Sequence, residues 1–239
     1  MNEYLSSLRA SLTEVGFARS AADTIRTAAP ELFASWHDFQ ASYDRLPLDD
    51  YMADLGRYRR RRYAVYHMSD QGQNRAQHQP HFQTANYNWL NGNVERWFQE
   101  IEAEVADSAT LNAALKMCFD LFAPMRPQVQ SWHTEVHQFR IEACAEKHGL
   151  PTPEGVHRDG VDFVLVLLVK RENIVAGTTT LHDPNGVKIS EFTLTEPGDA
   201  VWIDDQRLFH GVTAVQPADP SKPAYRDVLV LTLKPIAGD

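Results

Sequence analysis

The second half of this chain is a succession of short strand-like runs, and this limits the folds that it can adopt. The predicted strands cover residues 133–143, 162–169, 174–182, 188–195, 200–204, 209–215 and 226–234. Turn-forming sequences separate them, among them Pro184-Asn185-Gly186 and Pro197-Gly198-Asp199. Many short strands with turns between them are typical of a sandwich or barrel rather than a parallel α/β sheet. We therefore expect a mainly β fold with flanking α-helices and a double-stranded β-helix (jelly-roll, cupin-like) core in residues 131–239.

Residues 1–130 are predicted to form a helical and loop region that supports this core, within a single domain of residues 1–239. Apolar residues recur at helical spacing in the first 50 positions and predict N-terminal helices. Two further amphipathic, buttressing helices are predicted at 94–106 and 109–123. Between these regions, the segment 57–68 is rich in Tyr and Arg and predicts an edge strand.

The composition excludes several classes of partner and location. A net charge of −9 gives the chain no broad electrostatic reason to bind nucleic acid or an anionic membrane. The two cysteines, Cys118 and Cys144, cannot form a disulfide framework, which favours a reducing compartment. The N-terminus has no secretory pattern, so a cytoplasmic location is expected. A small-molecule substrate is the expected partner, with a homodimer as a further expectation.

A His-x-Asp pair and a distant second histidine form the most informative residue pattern. His157 and Asp159 are two positions apart, so on an extended segment both side chains point to the same side. His210 follows far enough along the chain to return on a different strand. Two imidazoles and a carboxylate can hold Fe(II) on one face of an octahedron and leave the opposite face open. We therefore predict that His157, Asp159 and His210 form a metal site.

Several polar side chains outside this pattern are candidates for binding a carboxylate. Arg226 lies in a strand-like run, where a fixed guanidinium can grip a carboxylate with two parallel hydrogen bonds. On the predicted strand 133–143, Gln138 and Arg140 share one face. If that face lines the barrel, this pair can contact a cofactor carboxylate. The alternative is that Arg140 is paired at a sheet edge.

Two features of the sequence compete with this interpretation of the histidines. The string His157-Arg158-Asp159 also occurs in protein kinases, but the chain has no Asn at the required spacing, no Gly-rich loop and no Asp-Phe-Gly. A kinase is therefore excluded. His133 and His137 lie in an alternating segment without an HExxH pattern and are predicted to be structural or to support the ligand residues from behind. His81 is predicted to lie at the surface or in a loop.

The metal-site pattern belongs to a longer set of motifs. In chain order these are His157-x-Asp159, Glu196-Pro197-Gly198-Asp199-Ala200-Val201, His210-Gly211-Val212 and Arg226-Asp227. This set resembles the Fe(II)- and 2-oxoglutarate-dependent dioxygenases. More narrowly, the chain resembles the bacterial branch that hydroxylates free L-amino acids, typified by L-isoleucine 4-hydroxylase. The segments behind this narrower resemblance include His137-Gln138-Phe139-Arg140, Gly177-Thr178 to Leu181, Leu208 to Thr213 and Tyr225 to Leu229.

The resemblance implies an enzyme that uses Fe(II), 2-oxoglutarate and O2, with iron on the predicted triad and the far carboxylate of 2-oxoglutarate on Arg226. It implies hydroxylation of an unactivated C–H bond, or oxidation of sulfur, in a free L-amino acid or similar small molecule, with release of succinate and CO2. The same chemistry also allows desaturation and ring closure. Two further functions stay open on this fold: an oxygenase for a peptide, carrier-bound or secondary-metabolite intermediate, and a non-catalytic sensor of 2-oxoglutarate or metal.

An amino-acid substrate also needs a partner for its α-carboxylate. Five arginines lie within the predicted strand 57–68, and alternation splits them over two faces. We take Arg60 and Arg62 as candidate substrate-binding residues, because a guanidinium binds a carboxylate through two hydrogen bonds. A solvated, charged edge strand is the alternative for these arginines. Thr178 is a further substrate candidate, with packing within its strand as the alternative.

Overall fold

The protein is described by a computed structural model that covers residues 1–52, 54–90 and 92–236. Its helices are α1 (Asn2–Val15), α2 (Ala22–Ala28), α3 (Trp36–Ala41), α4 (Ala103–Ala106) and α5 (Ala109–Phe122). Short 3-10 helices cover Pro30–Phe33, Ser42–Arg45 and Ala123–Met125. None of the helices in the described part of the chain has the length and apolar character that a bilayer crossing requires.

The strands of the N-terminal half are β1 (Phe17–Ser20), β2 (Arg59–Ser69) and β3 (Gly72–Arg75). The remaining strands are β4 (Ser131–Ala143), β5 (Phe163–Glu172), β6 (Ile174–Ala176), β7 (Thr179–His182), β8 (Lys188–Phe192), β9 (Ala200–Asp204), β10 (Phe209–Val212), β11 (Val215–Pro217) and β12 (Ala224–Pro235). A major sheet has the order β1-β9-β5-β12-β4-β2-β3, a minor sheet has the order β10-β7-β8, and β11 pairs with β6. This mainly β architecture confirms the predicted double-stranded β-helix with supporting helices.

The alternation of side chains along β5 shows how the layers are held together. Phe163, Leu165 and Leu167 are fully buried in the cluster that joins the major sheet to the helices. Val164 and Leu168 point the other way and pack with residues of β7 and β9, between the two sheets. Both faces of β5 are therefore buried, as its nearly continuous apolar sequence requires.

Helix α5 is the main support for the outer face of the major sheet. Its apolar residues recur at helical spacing, and Leu111, Leu115 and Cys118 are fully buried. The ring of Phe122 stacks on Phe163 of β5, with 4.3 Å between the ring centroids. This helix confirms the prediction for 109–123, and its contacts leave the opposite face of the sheet free to form a site.

The segment 94–106 is the clearest departure from the predicted elements. Its apolar residues are spaced as in a helix, but only Ala103–Ala106 is helical. The backbone before it instead pairs with β2, because the Tyr63 N–H donates to the Gln99 carbonyl and the Ile101 N–H donates to the Tyr63 carbonyl. These bonds pair the middle of β2 with residues 99–101 on the side away from β4, and β3 pairs with the C-terminal end of β2 on that same side. The predicted edge strand at 57–68 is therefore an interior strand, and the prediction of an edge was wrong.

Two predicted strands are each divided in the structure. The run 174–182 forms β6 and β7, which belong to different sheets, and the chain bends between them at Ala176 and Gly177, both with positive φ. The run 209–215 likewise divides into β10 and the start of β11. Each break lets the chain pass from one sheet to another, so that His210 of β10 reaches the space between the sheets.

Candidate functional site

The structure brings the three predicted metal ligands together. His157 lies in the segment between β4 and β5, and its backbone forms two hydrogen bonds with His210 of β10, at 2.9 and 2.8 Å. The Asp159 carboxylate lies 3.6 Å from Nε2 of His157 and 3.3 Å from Nε2 of His210. One ligand atom from each of the three residues lies within 4.8 Å of the others. Two separate chain segments thus converge on one point, as the motif predicts.

The ring nitrogens of both histidines suit metal binding. Nδ1 of His157 lies 3.0 Å from the Gly155 carbonyl, to which it donates its proton, so that Nε2 carries the lone pair. Nε2 of His210 is buried and has no hydrogen-bond partner of good geometry among the described residues. A metal ion between these nitrogens and the Asp159 carboxylate would satisfy all three.

The charges around the triad favour a cation. Burial alone would raise the pKa of Asp159, but His157 and His210 hold it well below its usual range. Burial would lower the pKa of His210, whereas the carboxylates of Asp159 and Asp205 raise it to about 10. The carboxylates therefore stabilise positive charge at this point, and a bound divalent ion would supply that charge in place of the protons on the histidines.

Asp205 fixes the position of the ligand loop. Its buried carboxylate accepts hydrogen bonds from the backbone N–H groups of Asp159, Gly160 and Val161, at 3.1, 2.9 and 3.2 Å. Gly160 has a φ of +79°, a left-handed conformation that favours glycine. Asp205 follows β9 directly and was not predicted from the sequence. It anchors the loop that carries Asp159 to the major sheet.

We expect Asp205→Ala to weaken Fe(II) binding about 10- to 100-fold, the usual loss when the partners that orient metal ligands are removed. The physical reason is that three buried backbone donors lose their acceptor and the Asp159 loop is no longer fixed. Anaerobic Fe(II) titration of the purified variant measures the change. Asp204→Asn is the matched control, because the Asp204 carboxylate contacts Arg126 rather than the triad. Equal Fe(II) affinity in the Ala variant and the wild type would remove Asp205 from this role.

Arg226 of β12 lies in the same cavity as the triad, on the inner side of the major sheet. Its side chain is 2% exposed, and its Nε and Nη2 atoms have no hydrogen-bond partner among the described residues. Burial and the neighbouring Arg171 lower its pKa to about 10. A buried guanidinium with free donors needs an acceptor, and a carboxylate matches it with two parallel hydrogen bonds.

The cavity between the sheets joins these groups in one space. Its volume is about 310 Å³, within the range of small-molecule sites. The triad and Arg226 line it together with an aliphatic wall made by Val164, Val166, Val228 and Val230. A cluster of metal-ligating side chains and a second, anion-binding group in one cavity suit a small substrate and a carboxylate-bearing cosubstrate.

A model of the 2OG-Fe dioxygenase family matches residues 40–232 of the chain, which include the triad and Arg226. The chain belongs to this family. Its cofactors are therefore Fe(II) and 2-oxoglutarate, and the predictions of a dioxygenase and of these two cofactors are confirmed. The lone pairs of the triad fit Fe(II), and the unpaired N–H donors of Arg226 fit a carboxylate of 2-oxoglutarate.

Known proteins show the same relationship in sequence and structure. The chain is 33% identical to a BsmA homologue from Methylobium petroleophilum PM1, whose crystal structure superimposes with a TM-score of 0.82 over 97% of this chain and 93% of that one. It is 26% identical to the L-isoleucine-4-hydroxylase of Bacillus thuringiensis over 64% of each chain, slightly less than two thirds of the relative. It is 23% identical to the 3(1)-hydroxy-L-isoleucine 4-dioxygenase of Pantoea ananatis over 93% of each chain.

Two predicted cosubstrate contacts do not reach the cavity of this dioxygenase. Gln138 and Arg140 lie on the face of β4 that points to the helical layer. Gln138 donates to the Ser42 hydroxyl at 2.9 Å, and Arg140 forms two hydrogen bonds with Asp227, at 2.7 and 2.8 Å. Arg140 is therefore paired, as its alternative held, but on an interior strand of the major sheet rather than at a sheet edge. Neither residue is placed to bind 2-oxoglutarate.

The three predicted substrate contacts also lie elsewhere. Arg60 pairs with Glu142 at 2.7 Å, and Arg62 donates to the Glu100 carbonyl at 2.7 Å, both outside the cavity. The Thr178 hydroxyl bonds to that of Thr193. Alternation does divide the arginines of β2 over two faces, but the opposite pair, Arg59 and Arg61, lines the cavity. The prediction chose the wrong face of the strand.

A second buried polar cluster was missed by the sequence reasoning. His81, Glu135 and His137 line the cavity and have ligand atoms within 4.8 Å of one another. The alternation of His133, Glu135 and His137 on β4 places these side chains on one face and could have indicated part of it. His81 comes from the loop before α4 and has no such signal. It lies in a loop, one of the two predicted settings, but it is buried rather than at the surface, with 7% exposed.

Hydrogen bonds within this second cluster already satisfy its carboxylate. Glu135 accepts from Tyr63 at 3.0 Å and lies 2.9 Å from Nδ1 of His81 and 3.4 Å from Nε2 of His137. Nδ1 of His137 accepts a 2.6 Å hydrogen bond from the Arg61 guanidinium. A cation this close opposes the binding of a metal ion, so the His157 triad is the better iron site.

Proposed function

We propose that this dioxygenase hydroxylates an unactivated C–H bond of a free L-amino acid. In the overall reaction, the amino acid, 2-oxoglutarate and O2 give the hydroxylated amino acid, succinate and CO2. One observation carries the proposal: the triad, the buried Arg226 guanidinium and an aliphatic wall share one cavity of about 310 Å³. Such a cavity accommodates small molecules rather than a folded partner.

The residues of the cavity have distinct tasks in this proposal. His157, Asp159 and His210 hold Fe(II), and Arg226 binds the far carboxylate of 2-oxoglutarate. When bound, iron and cosubstrate supply the activation of O2 and the oxidation of the substrate. The aliphatic side chains of β5 and β12 exclude water and contact the carbon chain of the substrate.

The relatives support an amino-acid substrate. The enzymes from Bacillus thuringiensis and Pantoea ananatis are named for L-isoleucine and for a hydroxylated L-isoleucine. Both are free amino acids with branched aliphatic carbon chains, one of them carrying a hydroxyl group, and such chains suit the valine-rich wall of this cavity. We therefore expect apolar L-amino acids to be the preferred substrates.

Mass spectrometry tests the proposal. The protein is reconstituted with Fe(II) without oxygen, and then incubated with 2-oxoglutarate, O2 and single amino acids. We expect succinate formation together with a gain of about 16 daltons, one oxygen atom, in one or a few apolar L-amino acids. Slow 2-oxoglutarate consumption without any product favours a peptide, carrier-bound or secondary-metabolite substrate. No consumption with any candidate favours a non-catalytic sensor.

A further inference from the structure

Three buried arginines lie together in the cavity wall. They are Arg59 and Arg61 of β2 and Arg96 of the segment before α4, with exposed fractions of 6%, 3% and 2%. We call them the arginine cluster. Each keeps an N–H group without an acceptor in the described part of the chain, namely Nη2 of Arg59, Nε of Arg61 and Nε of Arg96. Leaving such donors unpaired is costly in a buried site.

The protein fixes the cluster but does not satisfy it. Asp49 forms a buried ion pair with Arg59 at 2.7 Å and lies 3.8 Å from Arg61. The Arg61 guanidinium is also held between the rings of Phe98 and Phe139, at 3.6 and 4.4 Å from their centroids. A single carboxylate thus contacts two of the three guanidinium groups, and among the described residues Arg96 has no carboxylate in direct contact.

The remaining carboxylates of the wall are engaged elsewhere. Glu135 is surrounded by Tyr63, His81 and His137, and Glu154 lies 3.4 Å from Nε2 of His157. Burial, together with mutual repulsion among the arginines, lowers the pKa of Arg61 well below its usual value and also lowers that of Arg96. An anion of matching shape would offset this repulsion.

We propose that the arginine cluster binds the carboxylate of the substrate, with Arg96 as its principal contact. This inference rests on the proposed function, and it deepens it by requiring a free carboxylate. A carboxylate offers two acceptor atoms in the plane of a guanidinium, which suits the unpaired donors of the cluster. The cavity then holds two carboxylate sites, with Arg226 for the cosubstrate and the arginine cluster for the substrate.

Gln83 connects the arginine cluster to the metal centre. Its side-chain carbonyl accepts from Arg96 at 3.1 Å, while its amide group donates to the Asp159 backbone carbonyl at 3.2 Å and lies 3.4 Å from the Asp159 carboxylate. The proposed carboxylate site is therefore separated from an iron ligand by one side chain. A carboxylate bound to Arg96 would therefore direct the carbon chain attached to it towards the metal ligands.

This arrangement selects a chemical class of substrate. Free carboxylic acids satisfy the arginine cluster, whereas esters, thioesters and amides of the same carbon chain leave its charge unpaired. A binding site built for a charged group rejects an analogue that lacks it more strongly than it distinguishes apolar chain lengths. Carrier-bound amino acids and internal peptide residues are therefore disfavoured.

The test compares L-isoleucine with L-isoleucinamide, in the wild type and in Arg96→Gln. We expect kcat/KM of the wild type to be about 10- to 100-fold lower for the amide, as for the loss of one charge-assisted hydrogen bond. In Arg96→Gln, the KM for L-isoleucine rises by a similar factor, and the KM for 2-oxoglutarate is unchanged. The ratio of kcat/KM for the acid to kcat/KM for the amide falls towards one. If L-isoleucine is not turned over, the amino acid that is oxidised and its amide take their place.

Arg60→Gln is the matched control, because Arg60 neighbours the cluster on β2 but points out of the cavity towards Glu142. It should keep the wild-type preference for the acid. Equal turnover of acid and amide by the wild type, or a rise in the KM for 2-oxoglutarate alone in Arg96→Gln, overturns the inference and leaves the proposed function in place.

Thermal unfolding distinguishes the failure of the two proposals. The protein is held without oxygen in Fe(II) and saturating 2-oxoglutarate, and 3-methylbutanoate or its amide is added as the probe. If no amino acid is oxidised, a rise in Tm with the acid alone that disappears in Arg96→Gln supports the carboxylate site and rejects the proposed function. No rise with either probe, together with no turnover, rejects both.

Discussion

His210→Ala is expected to abolish Fe(II)-dependent turnover and to reduce iron binding below detection at stoichiometric metal. His210 is one of only two imidazoles in the triad, and it also ties β10 to the His157 segment through its backbone. Its removal leaves one imidazole and one carboxylate. Two such ligands occur side by side on many protein surfaces that do not bind iron tightly. The measurement is iron content after anaerobic reconstitution, together with succinate formation.

The fold should survive this substitution, because the two backbone hydrogen bonds between residues 157 and 210 do not need the imidazole. His182→Ala is the matched control. His182 lies on the neighbouring strand β7 beside Phe209, and its ring contacts Gly186 and Thr180 rather than the cavity. The control should bind iron normally. Wild-type iron content and activity in His210→Ala would exclude this residue from the metal site.

Arg226→Gln should raise the KM for 2-oxoglutarate by about 30-fold or more. Truncating one partner of a buried charge pair costs about 2–5 kcal/mol, and every 1.4 kcal/mol is tenfold. Iron affinity should change far less, because Arg226 contacts none of the three metal ligands. Initial rates at varied 2-oxoglutarate, with Fe(II) titrations in parallel, separate the two effects.

Arg171→Gln serves as the control for this charge change. Arg171 is the register partner of Arg226 on β5, but its guanidinium donates to the Ala176 carbonyl outside the cavity. Its KM for 2-oxoglutarate should stay near the wild-type value. An unchanged cosubstrate dependence in Arg226→Gln would show that another cation, such as one in the arginine cluster, holds the far carboxylate.

The metal triad could be predicted because it depends on residue types and on their spacing along the chain. His157 and Asp159 need only an extended backbone to share one side, and His210 needs only a strand that returns. Arg226 could be predicted for the same reason, since its position follows from a strand and a motif. These residues depend little on which strands become neighbours.

The substrate side of the cavity depends on information that a single sequence does not contain. Alternation separates Arg59 and Arg61 from Arg60 and Arg62, but it does not reveal which pair faces inward. That choice is fixed by pairing of β2 with β4, where Arg61 lies opposite Phe139. A shift of one residue would exchange the two faces. The same ambiguity placed Gln138 on the wrong side of β4.

The cavity residues that come from irregular segments could not be predicted, for a different reason. His81, Gln83 and Arg96 come from the long polar segment between β3 and α4, where no periodicity indicates which side chains turn inward. Their positions are fixed by tertiary contacts, such as the two backbone hydrogen bonds between His81 and Arg96. Asp205 is similar, because its role depends on three backbone donors from a loop far away in sequence.

Anomalous diffraction at the iron edge, from crystals grown without oxygen in Fe(II) and 2-oxoglutarate, tests the central claim most directly. We predict a single strong peak within coordinating reach of His157 Nε2, His210 Nε2 and the Asp159 carboxylate. A peak among His81, Glu135 and His137, with no density at the His157 triad, would contradict it.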